Sequence, residues 1–359
     1  MRRKRVVSIF LTVISIYLPW MLIMPVYGDK LTDSLPSMPV YGNKPTDSLP
    51  SWRNTAPKKA IIKFVEAVST EGSVDFVPKQ YRIATFDMDG TILIEKPNPV
   101  LSVLSLDFLK MIAKQSKTLR NVQPYKAAYQ DDTSYIAANP LQVVLTAFMG
   151  YSQDEYLTNA EKFVKNAIHP RFEVPYFDLF YIPMLELIEY LNSHDFRVYI
   201  VSGSWQGFIR SVVKSKVELA NSNLIGTQIK LAYQSFNGKT AFSRQGVYIA
   251  PYVVHNGKPE IIRLKIGEPP ILAFGNSSGD QQMFEYTAAN NKFRNLVLCL
   301  EHDDPIREYK YKNDVIYQTG WLPISMKNDF SIVFANKKIS AEGETRRTQF
   351  TSNEGHSLP

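Results

Sequence analysis

Residues 81–95 read Tyr-Arg-Ile-Ala-Thr-Phe-Asp-Met-Asp-Gly-Thr-Ile-Leu-Ile-Glu, and no other stretch narrows the choice of fold as far. Ile83, Ala84, Thr85 and Phe86 form a short apolar, partly β-branched run. Such a run suits a central strand of a parallel sheet covered on both faces. Asp87 then falls at the strand's carboxyl end, the edge at which open α/β sheets bind ligands. Residues i and i+2 of an extended chain share a side, so Asp87 and Asp89 are expected to face one pocket, with Gly90 turning the backbone away.

Two carboxylates in a dry pocket repel each other, and keeping both charged needs a cation or a shared proton. Magnesium is the economical cation. It takes oxygen ligands, keeps several waters and is usually held by one or two carboxylates plus a substrate phosphate. Read by itself, the segment is also compatible with a plain polar turn after a strand.

Three later segments supply context. Val198-Tyr-Ile-Val201 is a second apolar strand ending in Ser202-Gly203-Ser204; Pro270-Ile-Leu-Ala-Phe274 is a third, ending in Gly275-Asn276-Ser-Ser-Gly-Asp280; Lys258 lies between them. With these elements in this order the chain resembles the haloacid dehalogenase superfamily of phosphohydrolases, whose hallmark is Asp-x-Asp-Gly-Thr. Within it the likeness is closest to a phosphoserine-phosphatase-like branch of exported bacterial phosphatases. It runs from about residue 81 to about 334, and includes Tyr181-Ile-Pro-Met-Leu-Glu-Leu, Gly257-Lys-Pro and His302-Asp-Asp-Pro-Ile-Arg-Glu-Tyr309.

The resemblance implies an α/β fold, a Rossmann-like parallel-sheet core with an inserted helical cap. About 115 residues separate Asp87 from Ser202, whereas one β-α-β step needs about 30. The insertion reads as helical. Leu101, Leu104, Phe108, Leu109 and Ile112 repeat at helical spacing, residues 141–149 are apolar, and Ser152-Gln-Asp-Glu155 is a capping box for a helix through Ile168. The expected division is core at 58–95 and 182–335 with the cap at 96–181.

Pro183 suits the start of a helix whose buried stripe is Met184, Leu187, Ile188 and Leu191. Ser202 and Gly203 are expected to open the next helix, at 205–216, where a phosphate oxygen is favoured. Residues 226–254 read as strands of a mixed region. Gly257 begins another helix, and the resemblance places Lys258 in the phosphate site, paired with Asp87.

The last element departs from the commoner Gly-Asp-x-x-x-Asp of many relatives, because Asn276 stands where an acid is usual. An amide oxygen still binds magnesium. The lost charge should weaken the metal unless Asp280 approaches it, and Asn276→Asp should tighten it.

Five histidines show no metal-ligand spacing. His302 has two readings, a second acid-base group or a polar exit from a strand. Glu95 also has two, a contact to a substrate amino group or a hinge salt bridge. Cys299, the sole cysteine, lies among apolar residues and reads as a buried strand position.

Residues 1–28 carry four basic residues followed by a long apolar run, as in a signal peptide or membrane anchor. The run exceeds the roughly 7 to 15 residues of an ordinary signal core and approaches the ~20 of a membrane span. The flanks favour cleavage, so the protein is expected to be exported, periplasmic or secreted, with a membrane tether possible through this segment. Residues 24–37 are repeated almost letter for letter at 38–51. Two Pro/Ser-rich copies fall short of a solenoid, so 29–57 read as a flexible spacer. Residues 336–359 are polar and lack periodicity, and read as a disordered tail.

The net charge of +7 owes much to the two termini, and no stripe of basic and aromatic residues points to nucleic acid. The reading is therefore a magnesium-dependent phosphatase of small phosphate monoesters. Asp87 would be the nucleophile and Asp89 the acid-base group. Ser202, Gly203 and Lys258 would hold the phosphate, and Asp87, Asp89, Asn276 and Asp280 would provide the metal site. A phosphotransferase or phosphomutase using the same intermediate, or a catalytically silent envelope binding protein, are the alternatives.

Overall fold

A computed structural model describes residues 47–290 and 292–336. The leader, the first copy of the repeat, most of the second copy and the tail lie outside the described residues. No helix among the described residues is long and apolar enough to cross a membrane.

The chain enters through residues 47–55, which pack on the core, with Leu49 and Trp52 buried. Lys58, in helix α1 (Ala56–Ser69), ties this segment down by donating to Asp47 Oδ2 at 2.6 Å and to the carbonyl of Leu49 at 2.8 Å. Ser51 donates from Oγ to Glu186 Oε2 at 2.5 Å. Residues 47–57, expected to belong to a flexible spacer, are thus packed on the core. The shared TDSLPS ending of the repeat looks like linker, yet its second leucine finds an apolar seat.

Strand β1 (Ile83–Phe86) is buried at every position. After Glu95 come five helices, α2 (Val100–Gln115), α3 (Tyr125–Gln130), α4 (Thr133–Ala138), α5 (Pro140–Thr146) and α6 (Gln153–Asn166). α6 opens with the expected box, Ser152 and Glu155 capping one another's backbone N–H groups, and it stops at Asn166, short of Ile168. Phe108 of α2 stacks on Phe148 at 3.6 Å between ring centroids, which closes a small aromatic core inside the cap.

The chain returns through α7 (Ile182–Ser193), with Pro183 in its first turn, to β2 (Arg197–Trp205) and α8 (Gln206–Val213). A long hairpin follows, β3 (Leu224–Phe236) and β4 (Lys239–Ile249). Then come α9 (Gly257–Lys265), β5 (Leu272–Gly275), α10 (Gln281–Ala288), β6 (Leu296–Glu301), β7 (Leu322–Ser325) and α11 (Met326–Asp329). Cys299 is buried in β6, and burial pushes its thiol up to about 12.

The sheet order is β4-β3-β2-β1-β5-β6-β7. Every neighbouring pair is parallel except β3 with β4. The chain leaves β1 to build one side through β2 and β3, then crosses to the other through β5 and β6. That reversal makes a crevice beyond the carboxyl ends of β1, β2 and β5, where such sheets bind ligands. The hairpin does more than extend the mixed edge. Residues 150–152 of the cap bridge to β4, with Gly150 N–H donating to the Arg244 carbonyl at 2.8 Å and Arg244 N–H to Tyr151 at 2.9 Å.

Candidate active site

Asp87 leaves β1 with its N–H on the Phe274 carbonyl at 2.9 Å, so the first carboxylate is pinned to the end of β5. The chain then coils tightly, with the N–H groups of Thr91, Ile92 and Leu93 all on the Met88 carbonyl. Gly90 has φ +73°. A Cβ there would lie 2.1 Å from Asn276 Nδ2 and 2.6 Å from Glu95 Oε1, so the turn needs glycine for both backbone and space.

Lys258 is the centre of the site. Its ammonium donates to Asp87 Oδ1 at 2.6 Å, Asp280 Oδ1 at 2.5 Å and the Val201 carbonyl at 2.8 Å, and it is 2 % exposed. Groups from β2 and from the segments that follow β1 and β5 are thus gathered on one cation. Burial works against that charge, but Asp280 and Asp87 outweigh it and hold the ammonium above its ordinary range. The opposite pressure falls on Asp87. Burial, followed by the charge of Asp280, pushes its carboxyl well up despite Lys258.

Asp89 is two residues on, as the strand period requires. Its Oδ2 accepts from Ser204 Oγ at 2.7 Å, while Oδ1 is buried without a partner. Burial raises its carboxyl to about 6, against the pull of Ser204. Ser204 is a site residue that the sequence did not single out by role. Ser202 and Gly203 lie in the extension of β2, not at a helix start: β2 runs on to Trp205 and α8 begins at Gln206. A register shift against β3 between Ser202 and Trp205 makes this possible. Ser202 Oγ accepts from Ser204 N–H at 3.1 Å, which folds the strand end toward Asp89.

The motif at the end of β5 divides its labour differently from expectation. Asp280 Oδ2 accepts from the N–H groups of Asn276 and Ser277, each at 3.0 Å, and Oδ1 is held by Lys258. Donors occupy both oxygens, so Asp280 serves Lys258 and the loop. Asn276 faces the turn after β1: Oδ1 accepts from Thr91 Oγ1 at 3.2 Å and Nδ2 donates to Glu95 Oε1 at 3.0 Å. Glu95 also accepts from Tyr311 OH at 2.6 Å. Its observed partners are thus an amide and a phenol, in place of a hinge salt bridge.

His302 holds the turn from behind. It is buried, Nε2 donates to the Gly90 carbonyl at 2.7 Å, Nδ1 faces Glu308 Oε2 at 2.9 Å, and its ring stacks on Tyr311 at 4.2 Å. Tyr181 OH donates to the other oxygen of Glu308 at 3.2 Å. With both ring nitrogens engaged inside the protein, His302 braces the turn and is not placed to exchange protons with a substrate. Tyr181, Glu308 and Tyr311 fall in or beside the family-like strings of the sequence, but nothing in those strings announces their assembly.

The all-oxygen set of Asp87, Asn276 Oδ1 and the Asp89 turn suits magnesium. Two buried carboxylates, Asp87 and Asp280, share the single ammonium of Lys258 with half-buried Asp89 nearby, and a divalent cation would offset that excess. Among the described residues no group of three or more His, Cys, Asp or Glu could hold a metal.

A mostly parallel sheet thus carries paired acids at its carboxyl edge, a buried lysine across from them and a helical cover. The chain belongs to the haloacid dehalogenase-like hydrolases, whose family model matches residues 84–285, more than half of its length. A search of curated proteins finds no match. Among solved structures, the chain is similar to a conserved protein of unknown function from Anaerococcus prevotii, at 15% identity over 70% of this chain and 88% of that one, with a TM-score of 0.46. A protein of unknown function from Bordetella pertussis is 14% identical over 61% and 89%, with a TM-score of 0.41. A phosphoserine phosphatase in a phospho-aspartyl intermediate analogue state is 15% identical over 61% and 86%, at 0.33.

Proposed function

We propose that this protein is a magnesium-dependent phosphatase that hydrolyses small phosphate monoesters through an aspartyl-phosphate on Asp87. The observation that carries the reading is the buried Asp87–Lys258 contact of 2.6 Å at the reversal point of the sheet, with the raised carboxyl of Asp89 two residues away.

In the first step a carboxylate oxygen of Asp87 attacks phosphorus as the ester P–O bond breaks, and Asp89 delivers its proton to the departing alcohol. In the second, the Asp89 carboxylate takes a proton from water as that water attacks phosphorus, releasing phosphate and restoring Asp87. A group near 6 exists in both forms around neutral pH, which suits one that must give and then take a proton. Lys258 neutralises oxygens of the transferring group while Asp280 keeps it aimed, and Ser204 holds Asp89 in place. Asp87, Asn276 and the Asp89 turn would hold magnesium, which when bound screens Asp87 from the phosphate dianion. The reading extends to an exported enzyme, tethered or released, on the strength of the basic and apolar leader at residues 1–28.

The test is a panel of phosphate esters offered to the full chain with magnesium, alongside Asp87→Asn. Release of free phosphate by the wild type and none by the variant is expected. An isomerised ester in place of free phosphate would make the protein a mutase. Equal turnover by both proteins would overturn the role of Asp87, and no turnover by either on a broad panel would favour a binding role.

A further inference from the structure

A cavity of about 710 Å3 lies between cap helix α6, core helix α8 and the β3–β4 hairpin. Asp87, Asp89, Lys258 and Asn276 do not line it, and Trp205, the neighbour of Ser204, forms its wall on that side. Its volume is that of a small-molecule site.

The buried charge in its lining is Arg244. This residue is 3 % exposed, its guanidinium sits 3.7 Å from the centroid of the Tyr156 ring, and one Nη donates to Gln153 Oε1 at 3.0 Å. Nε is buried with no partner, and no carboxylate pairs with the guanidinium among the described residues. Buried charges are ordinarily paired, and one without a counter-ion is costly. The surroundings repeat the imbalance. Arg210 and Lys214 also line the cavity, and its one acid, Glu161, is paired with Lys165 at 2.7 Å. Between Glu218 and Glu260 the sequence has no Asp or Glu at all.

We propose that this cavity is a second, non-catalytic site for a small phosphate- or carboxylate-bearing anion with an apolar or aromatic body. Arg244, Arg210 and Lys214 supply the charge that the anion answers, and Leu157, Leu231 and Trp205 supply apolar wall for its body. The backbone of Arg244 already forms the seam between hairpin and cap through its bonds to residues 150 and 151. An occupant that touches α6 on one side and α8 on the other therefore fastens the cap to the core. The proposal does not depend on the phosphatase reading, since it concerns binding away from the carboxylates.

The probe is 2-naphthylphosphonate, whose C–P bond is not an ester, titrated calorimetrically into the full chain without magnesium. Methylphosphonate serves as the anion without an apolar body. Naphthylphosphonate is expected to bind at least tenfold more tightly than methylphosphonate, and Arg244→Met is expected to weaken it at least tenfold. Because Arg244→Met also removes the contact with Tyr156, Lys214→Glu provides a variant that leaves that stack alone, with a loss of severalfold expected. Hydrogen exchange should show protection in α6 and β4. Unchanged affinity in Lys214→Glu, or protection confined to residues 87–91 and 202–204, would overturn the proposal.

Discussion

Asn276 donates from Nδ2 to Glu95 Oε1 across 3.0 Å, and this one contact decides which end of the amide faces the turn after Asp87. A carboxylate only accepts, so Glu95 selects the hydrogen-bearing end and leaves Oδ1 for Thr91 and the proposed cation. The negative charge missing from position 276 thus stands one hydrogen bond farther out.

Sequence alone suggests that Asn276→Asp should tighten magnesium, and the structure adds a cost to the metal-free protein. The new carboxylate would face Glu95 at about 3 Å, where like charges repel by roughly 5 kcal/mol at an effective dielectric of ~20, less the screening at half-exposed Glu95. The single variant should melt at a lower temperature than wild type without magnesium and regain stability as the ion is added. Asn276→Asp with Glu95→Gln should restore the melting temperature and bind magnesium at least as tightly as wild type, because the glutamine now donates to the aspartate. Thermal melts with and without magnesium check both, and an unchanged melting temperature of the metal-free single variant would show that Glu95 does not govern the site.

Asp89 links pH to stability. Its folded pKa, about 6, lies above the ordinary carboxyl value near 4, so the folded state holds the proton more tightly than the unfolded one. The cost of ionising it is therefore absent below about 4 and fully present above about 6. Asp89→Asn removes that cost, and should stabilise the magnesium-free protein at pH 7.5 by up to about 3 kcal/mol, from ~2 units at 1.36 kcal/mol each. The gain should vanish by pH 4, as urea titrations at the two pH values would read. Catalytically the same variant should lose far more activity on alkyl phosphates than on nitrophenyl phosphate, whose leaving group needs no proton.

His302 distinguishes a brace from an acid-base group. His302→Ala leaves the Gly90 carbonyl without its donor and Glu308 with Tyr181 as its remaining bond in this cluster. Breaking a buried pair of this kind should destabilise the fold by about 3 kcal/mol. Denaturant unfolding should show that loss, with the pH profile of the residual activity keeping its shape. Full stability with a changed pH profile would mean that His302 does exchange protons with substrate.

The amino-terminal boundary is testable by truncation. A chain beginning at Asp47 keeps the buried Leu49 and Trp52 and the bonds made by Lys58, whereas one beginning at Lys58 loses them all. Two large apolar side chains taken from a packed setting are worth on the order of 3 to 5 kcal/mol. The shorter chain should melt at a clearly lower temperature, and equal melting temperatures would show that residues 47–57 contribute nothing.

The central strand, the positions of Asp87 and Asp89, the glycine turn and the capping box of α6 were legible because each rests on local rules: a two-residue period, an apolar run, a backbone that only glycine adopts, and a reciprocal cap. The inserted helices were legible for a related reason, since spacing along the chain bounds what a connection can be, whereas the place of Lys258 came only from the family resemblance. Ser202 shows where such rules stop. Its place in an extended β2 depends on pairing with β3, more than twenty residues later, and no local pattern carries that pairing.

What the sequence by itself determined is the chemistry available at the carboxyl edge of the sheet: two acids, a lysine, an amide where an acid is usual. What only the tertiary structure decided is how those groups are shared out. Asp280 went to Lys258, Glu95 to Asn276, His302 to the Gly90 carbonyl, and Arg244 to a cavity wall where no described carboxylate pairs with it. Each is a contact between residues from 22 to 212 positions apart, Arg244 excepted. A hydrogen bond or ion pair depends on separations of tenths of an ångström. Folding brings those atoms together; their order along the chain does not.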